Sequence, residues 1–374
     1  MLSEKDKKVF DDAYKFAIEK IEPKSYYYET TSLKDNGLLK MLQEAGYSGI
    51  DLPAAVGGKE YNYLQTALVY EAFAHGSPTI AFYLQLHNNI TLMIERLTEN
   101  EHIKDIVRDM VNGEATNNFA LTEDVAGSDP ASTNSYCEEK EDGYHIHGMK
   151  DWIANAVDVD YFVLMVKNGQ PKGMNIFLVD RKLDGISVKK KDDIIAGNML
   201  AAGTVYFDDV VVPKDMLLST DGFKESLVAI DVARVFVPAM CIGLAQRSID
   251  IVSEYLSTRI SMGKPVLASE GIQWQLAEMQ TKVDVARQYV YYTANVKDSG
   301  EKINIIGAEN KLFATDIAMD VTTKCMQFMG ANGLYESSAV SRNWRMAKMF
   351  NITDGTGEIM KYIIGRNIYR KHRK

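Results

Sequence analysis

Apolar residues in the first third of the chain recur at three- and four-residue steps. Val9, Phe10, Ala13, Phe16, Ala17 and Ile21 are separated by acids and lysines, which predicts an amphipathic helix. Ser3 with Asp6 predicts a capped start and Pro23 a stop. Leu38, Leu39, Leu42 and Ala45 repeat the pattern up to Gly46, and further helices are expected over Tyr63–Ala74 and Ile90–Leu97. The period changes near Asn117. Short runs rich in β-branched and aromatic residues follow, at Tyr144–His147, Tyr161–Val166, Met174–Val179, Ile186–Val188 and Thr204–Phe207. Gly, Asn and Asp punctuate them, which predicts a small antiparallel sheet or barrel. After Gly222 the helical period returns, with long stretches at Val235–Leu256, Gly271–Lys297 and Asn310–Met329. Helices of that length bury their apolar faces in a bundle. Three regions are expected: helical over 1–116, β over 117–215 and a helical bundle over 216–374.

Composition narrows the class. With 46% hydrophobic and 25% charged residues, the 374-residue chain reads as an ordinary globular protein. A net charge of −9 argues against nucleic-acid binding, which needs a concentrated positive face. The basic tail Arg370–Lys374 reads as solvated. Cys137, Cys241 and Cys325 are too few and too far apart for a disulfide framework or a metal site, so a reducing, cytoplasmic setting is expected. The charged N-terminus has no signal-peptide core. No apolar run approaches the ~18 residues that suggest a membrane span, so no membrane association is expected.

Six motifs carry candidate chemistry. They are Leu121-Thr122-Glu123-Asp124-Val125-Ala126-Gly127-Ser128-Asp129, Gly148-Met149-Lys150-Asp151-Trp152-Ile153-Ala154-Asn155, Phe207-Asp208-Asp209-Val210 through Pro213, Arg259-Ile260-Ser261-Met262-Gly263-Lys264-Pro265, Gln327-Phe328-Met329-Gly330-Ala331-Asn332-Gly333 and Asp354-Gly355-Thr356. The Gly-containing turn at 122–128 offers backbone N–H groups and hydroxyls to a polar ligand. Arg259 can fork onto a phosphate, and Gly330 allows close backbone approach. Asp354-Gly355 reads either as a turn capping the next helix or as a carboxylate poised for proton transfer.

In this order and spacing the motifs resemble the signatures of the acyl-CoA dehydrogenase family. The resemblance implies a mainly α fold with a central β domain and a C-terminal four-helix bundle, FAD as cofactor, and usually a homotetramer. It implies α,β-dehydrogenation of an acyl thioester, with Asp354 taking the Cα proton and hydride passing from Cβ to flavin N5. The thioester is acyl-CoA or, in a related version of the chemistry, acyl carrier protein-bound, and electrons leave to an electron-transferring flavoprotein. Cofactor contacts are implied for Leu121, Thr122, Trp152, Ile153, Ala154, Arg259, Ser261, Gln327, Gly330, Thr356 and Glu358, those of Arg259 to the FAD of a neighbouring subunit. Substrate contacts are implied for Ser128, Asp231, Arg234 and Gly355.

The chain also departs from the family pattern. Ala154 stands for a threonine that bonds the flavin, Asp354 for glutamate, Met262 for phenylalanine, and Glu270 and Glu358 for glutamines. Ala233 closes the position where some members carry their glutamate instead. A redox-inactive flavoprotein-fold binding protein is the reading those departures leave open, and protein colour separates it from an enzyme.

Overall fold

The computed structural model describes residues 2–31, 33 and 37–373. Met1, the start of the expected helical region, and Lys374, the end of the basic tail, lie outside the described residues. Helix α1 (Glu4–Phe16) starts on the expected cap: Ser3 Oγ accepts from Asp6 N–H at 3.2 Å, while Ser3 N–H donates to Asp6 Oδ2. Pro23 does not end the helical path. A π turn (Ala17–Ile21) and a 3₁₀ turn (Glu22–Lys24) carry the chain into α2 (Ser25–Thr30). Proline is tolerated there because the first positions of a helical turn need no N–H. Next come α3 (Leu38–Glu44), α4 (Tyr63–Gly76), α5 (Pro78–Leu97) and α6 (Glu101–Val111). Proline at the first position of α5 starts it twelve residues before the expected Ile90.

The strands are β1 (Asn117–Ala120), β2 (Tyr136–Glu139), β3 (Tyr144–Ile153), β4 (Tyr161–Lys167), β5 (Met174–Asp180), β6 (Ile186–Lys190), β7 (Gly203–Val212) and β8 (Leu217–Ser219). They form an eight-stranded sheet in the order β6-β7-β3-β2-β4-β5-β8, with β1 joining β4 in parallel. The other extended pairings, β3–β7, β4–β5 and β6–β7, are antiparallel. Strand β4 shows why its sequence is an unbroken apolar run. Val163 and Met165 enter a core shared with α5 and α6, whereas Phe162, Leu164 and Val166 enter a second core with β3, β5 and β7. Successive side chains point to opposite faces and both faces are covered.

The remaining helices are α7 (Gly222–Thr258), α8 (Glu270–Asp298), α9 (Asn304–Met329), α10 (Ala339–Ile352) and α11 (Gly357–His372). Against the expectation of no long apolar run, an 18-residue window of α7 reaches a mean hydropathy of 2.0, and 78% of it is buried inside the protein. That burial marks a core helix. The chain packs as two compact units, residues 1–26, 62–82 and 233–374 in one and residues 27–61 and 83–232 in the other.

In the first unit α4 packs on α1 and α8, and α9 packs on α8, α10 and α11. Glu71 of α4 is 1% exposed, and its carboxylate accepts from Arg287 Nε and Tyr291 Oη, both at 2.8 Å. Gly243 of α7 lies so close to this turn that a Cβ there would sit 2.1 Å from the Glu71 carbonyl oxygen. Backbone cannot yield as a flexible side chain can. Gly243→Ala should therefore cost about 1–3 kcal/mol, read as a lowered melting temperature by circular dichroism.

Candidate active site

Asp354 sits in the short turn between α10 and α11. Thr353 caps α10, and Thr356 caps α11, its Oγ1 accepting from Ile359 N–H at 3.4 Å. The capping task that the Asp-Gly pair suggested thus belongs to Thr356, and Asp354 is left for other work. Both residues between the caps have left-handed backbone, Asp354 at φ 54° and Gly355 at φ 99°. The left-handed φ of Gly355 suits glycine, and the Arg234 guanidinium of α7 lies close to this turn, 3.9 Å from where a Cβ at Gly355 would sit.

The Asp354 carboxyl is the unusual group of this turn. Its Oδ2 is buried and has no hydrogen-bond partner among the described residues. Native structures seldom leave such an atom unmatched. Burial pushes the Asp354 pKa above the ordinary carboxylate range, against the opposing pull of two cations, Lys311 and Arg234. Lys311 of α9 is fully buried, and its Nζ donates to the carbonyl oxygens of Gly355 at 2.5 Å and Asn351 at 3.4 Å. Burial pushes its ammonium down to about 8 even though Asp354 pulls the other way. Arg234 is 6% exposed on α7, where its backbone carbonyl accepts from Asn310 Nδ2 at 3.2 Å. The turn therefore brings together the expected Asp354, Gly355, Thr356 and Arg234, and adds Lys311. Asp231 lies one turn before Arg234 on α7 and is partly buried. Glu358 is exposed in the first turn of α11, where a backbone N–H and Thr356 hold its carboxyl below the usual range.

The second unit joins two motifs through a buried ion pair. Glu123 and the Lys150 side chain, 2% and 0% exposed, meet at 2.8 Å. Lys150 Nζ also donates to Leu121 O at 3.2 Å and Thr133 Oγ1 at 2.9 Å. Glu123 accepts from the Asn134 and Ser135 N–H groups and from the Thr133 hydroxyl. Burial alone would raise the Glu123 pKa, but Lys150 and these donors outweigh it and hold the carboxyl at about 2. The pair ties Leu121–Glu123 to β3, and Asp151 N–H adds a 2.8 Å bond to Thr122 O.

Leu121, Thr122, Trp152, Ile153 and Ala154 are thereby gathered at one end of β3. Ile153 is buried, but Trp152, at φ 57°, keeps 59% of its surface exposed. Lys191 Nζ lies 4.5 Å from its ring centroid and 2.9 Å from Asp151 Oδ1. Ser128 is exposed in the same motif.

The third group lies elsewhere in the first unit. Arg259 follows the last residue of α7, its guanidinium 5.7 Å from the Tyr255 ring, and Asn332 Nδ2 donates to Tyr255 Oη at 3.0 Å. Ser261, Gln327 and Gly330 are exposed. From Arg234 to Thr258 runs roughly 36 Å of helix axis at 1.5 Å per residue. One copy of the chain does not bring the Arg259–Gln327 group to the Asp354 turn. Sequence reasoning did not single out Lys311, Glu123, Lys150 or Lys191. Only the Glu123–Lys150 pair had a visible signal, one residue from each of two neighbouring motifs.

Three domain families match in order: acyl-CoA dehydrogenase, N-terminal domain, over residues 3–114; middle domain over 118–210; and C-terminal domain over 220–369. The chain is 26% identical over 375 residues to isobutyryl-CoA dehydrogenase, mitochondrial, of Bos taurus, covering 99% of this chain and 90% of the relative. It is 28% identical to 3-(aryl)acrylate reductase of Clostridium sporogenes, covering 95% and 96%. Butyryl-CoA dehydrogenase of Megasphaera elsdenii superposes with a TM-score of 0.92 at 26% identity, covering 99% of each chain. A chain in the structure of the electron transferring flavoprotein of Acidaminococcus fermentans superposes at 0.93 and 27% identity, again covering 99% of each. With all three domains of one family laid in order along its length, this chain belongs to the acyl-CoA dehydrogenase family of oxidoreductases.

Proposed function

We propose that the protein is an FAD-dependent dehydrogenase of acyl-CoA thioesters in which Asp354 removes the Cα proton. The observation that carries the reading is the buried, unpartnered Asp354 Oδ2 between two cations. A carboxylate with a raised pKa and a free lone pair is suited to general-base work near neutral pH. Arg234 and Lys311 favour its ionised form against the burial that opposes it. The backbone N–H of the same turn is a donor toward the thioester oxygen, where negative charge grows as the proton leaves.

The donor set fits a flavin dinucleotide. Trp152, largely exposed beside Leu121, Thr122, Ile153 and Ala154, offers aromatic surface to a flavin ring, and Thr356 is assigned to the same cofactor. Arg259, Ser261, Gln327 and Gly330 make an exposed guanidinium, hydroxyl, amide and glycine set suited to a pyrophosphate and adenine. Their separation from Asp354 along α7 supports their serving the cofactor of a neighbouring copy, in a homotetramer. Glu358 is assigned to the cofactor as well, and Ser128, Asp231, Arg234 and Gly355 are assigned to the thioester. FAD bound by these residues would supply the acceptor for the hydride lost from Cβ. Ala154 has no hydroxyl to offer, so the bond that the family threonine gives the ring is missing here or is supplied by another group.

A panel of thioesters mixed with the yellow protein tests the reading. Loss of oxidised-flavin absorbance with at least one saturated acyl-CoA is expected, with electrons then passed to an electron-transferring flavoprotein. The panel includes acyl carrier protein thioesters and, because the Clostridium sporogenes relative is a 3-(aryl)acrylate reductase, unsaturated aryl substrates with pre-reduced flavin. Colourless protein, or flavin inert to every member, rejects the proposal.

A further inference from the structure

Lys311 is an expensive residue to keep where it is. Its ammonium is fully buried among apolar helices, and burying a cation costs several kcal/mol unless it is matched. Two of its three donors go to the carbonyl oxygens of Asn351 and Gly355, which bracket Asp354. Asn351 belongs to the last turn of α10, whose carbonyls have no helical partner. A neutral amide could satisfy one carbonyl, but it would not span both ends of the turn and carry a charge. Asn351 is held independently, its Nδ2 donating to Asp316 Oδ1 at 3.3 Å and Thr315 Oγ1 at 3.4 Å. The clamp therefore acts chiefly on the Gly355 side, next to the left-handed Asp354.

We propose that Lys311 is a positioning residue for the reaction: it fixes the turn that presents Asp354 and supplies the charge that keeps this carboxylate able to accept a proton. The proposal rests on the reading of Asp354 as the base. The charged and titratable groups around the pair come from two helices. Arg234 of α7 acts on both Asp354 and Lys311, and Asp316 of α9 acts on Lys311. The Cys241 thiol of α7 also acts on Lys311, but burial pushes it up to about 12, so it adds no charge at neutral pH. Arg234 alone is left to oppose the burial of Asp354 if Lys311 loses its charge.

The test follows the Asp354 carboxyl directly in the FAD-loaded protein. Its infrared carboxylate band is assigned by its loss in Asp354→Asn and titrated in wild type, Lys311→Met and Lys311→Arg. The methionine variant should move the midpoint upward by about one pH unit or more, the size of effect an adjacent opposite charge produces. The arginine variant should stay near wild type. The acid limb of thioester-driven flavin reduction should shift in parallel. An unchanged midpoint in Lys311→Met, with only a lowered melting temperature, would reduce Lys311 to a packing role and overturn the proposal.

If the methionine variant does not fold, the reciprocal measurement decides. Coupling between two sites is mutual, so Asp354→Asn should lower the Lys311 titration followed by lysine ¹³Cε NMR. No movement there overturns the proposal equally. The carboxyl titration needs no substrate. Coupled titrations in a protein whose flavin no thioester reduces would sink the dehydrogenase reading and with it the catalytic meaning of the clamp. Uncoupled titrations in an active enzyme sink the clamp alone.

Discussion

Asp354→Asn should slow thioester-driven flavin reduction by about 10²–10⁴-fold, the usual worth of a positioned general base. Flavin content and melting temperature should change little, because Asn keeps the shape and tolerates left-handed backbone as Asp does. The wild-type rate should also depend on pH in a definite direction. The base works only when ionised, and burial raises its pKa. Reduction should therefore climb with pH through a midpoint above the ordinary carboxylate range and then level. Stopped-flow absorbance across pH 5–9 measures both. A variant that reduces its flavin at the wild-type rate would remove Asp354 from the chemistry.

Lys150→Met should be the most destabilising change outside the Asp354 turn. It leaves Glu123 charged and buried without its cation, which costs about 3–5 kcal/mol and lowers the melting temperature by on the order of 10 °C. Leu121 and Thr122 are tied to β3 partly through this pair, so the variant should also retain less FAD at equal protein concentration. Pairing it with Glu123→Gln removes the stranded charge and should recover much of the loss. The pH dependence has a fixed sign. Glu123 is held at about 2 against an ordinary value of 4.5, so its stabilisation is present above 4.5 and is lost as pH falls through 2. Differential scanning calorimetry of the single and double variants is decisive: equal transitions would show that the pair contributes nothing.

The helical and β regions were legible because their periods are strong. The long stretches at Val235–Leu256, Gly271–Lys297 and Asn310–Met329 lie within α7, α8 and α9, and the five expected strands lie within β3 to β7. Element ends were less legible: nothing in the pattern says that Pro78 opens a helix or that Pro23 is crossed by a change of helical pitch. Placement of the site divided the same way. Asp354 and Gly355 could be listed from a motif and Arg234 from the family resemblance, and the structure brings Arg234 of α7 beside the Asp354 turn. Lys311 could not, since nothing in the sequence of α9 sets that one lysine apart. Only the packing of α9 against the α10–α11 turn turns it inward. The partly buried Lys191 over Trp152 was hidden for a similar reason, because the β6–β7 connection has no pattern that fixes its path.

The backbone at Asp354 also decides which acids the position accepts. A positive φ favours Asp and Asn over longer side chains, and Gly355 beside it is itself left-handed at φ 99°. Chain handedness and side-chain length are thus coupled at this spot. A glutamate here would extend the carboxyl by one methylene while sitting on a conformation it adopts less readily. Any redesign for a differently shaped acyl group has to reconcile those two demands together.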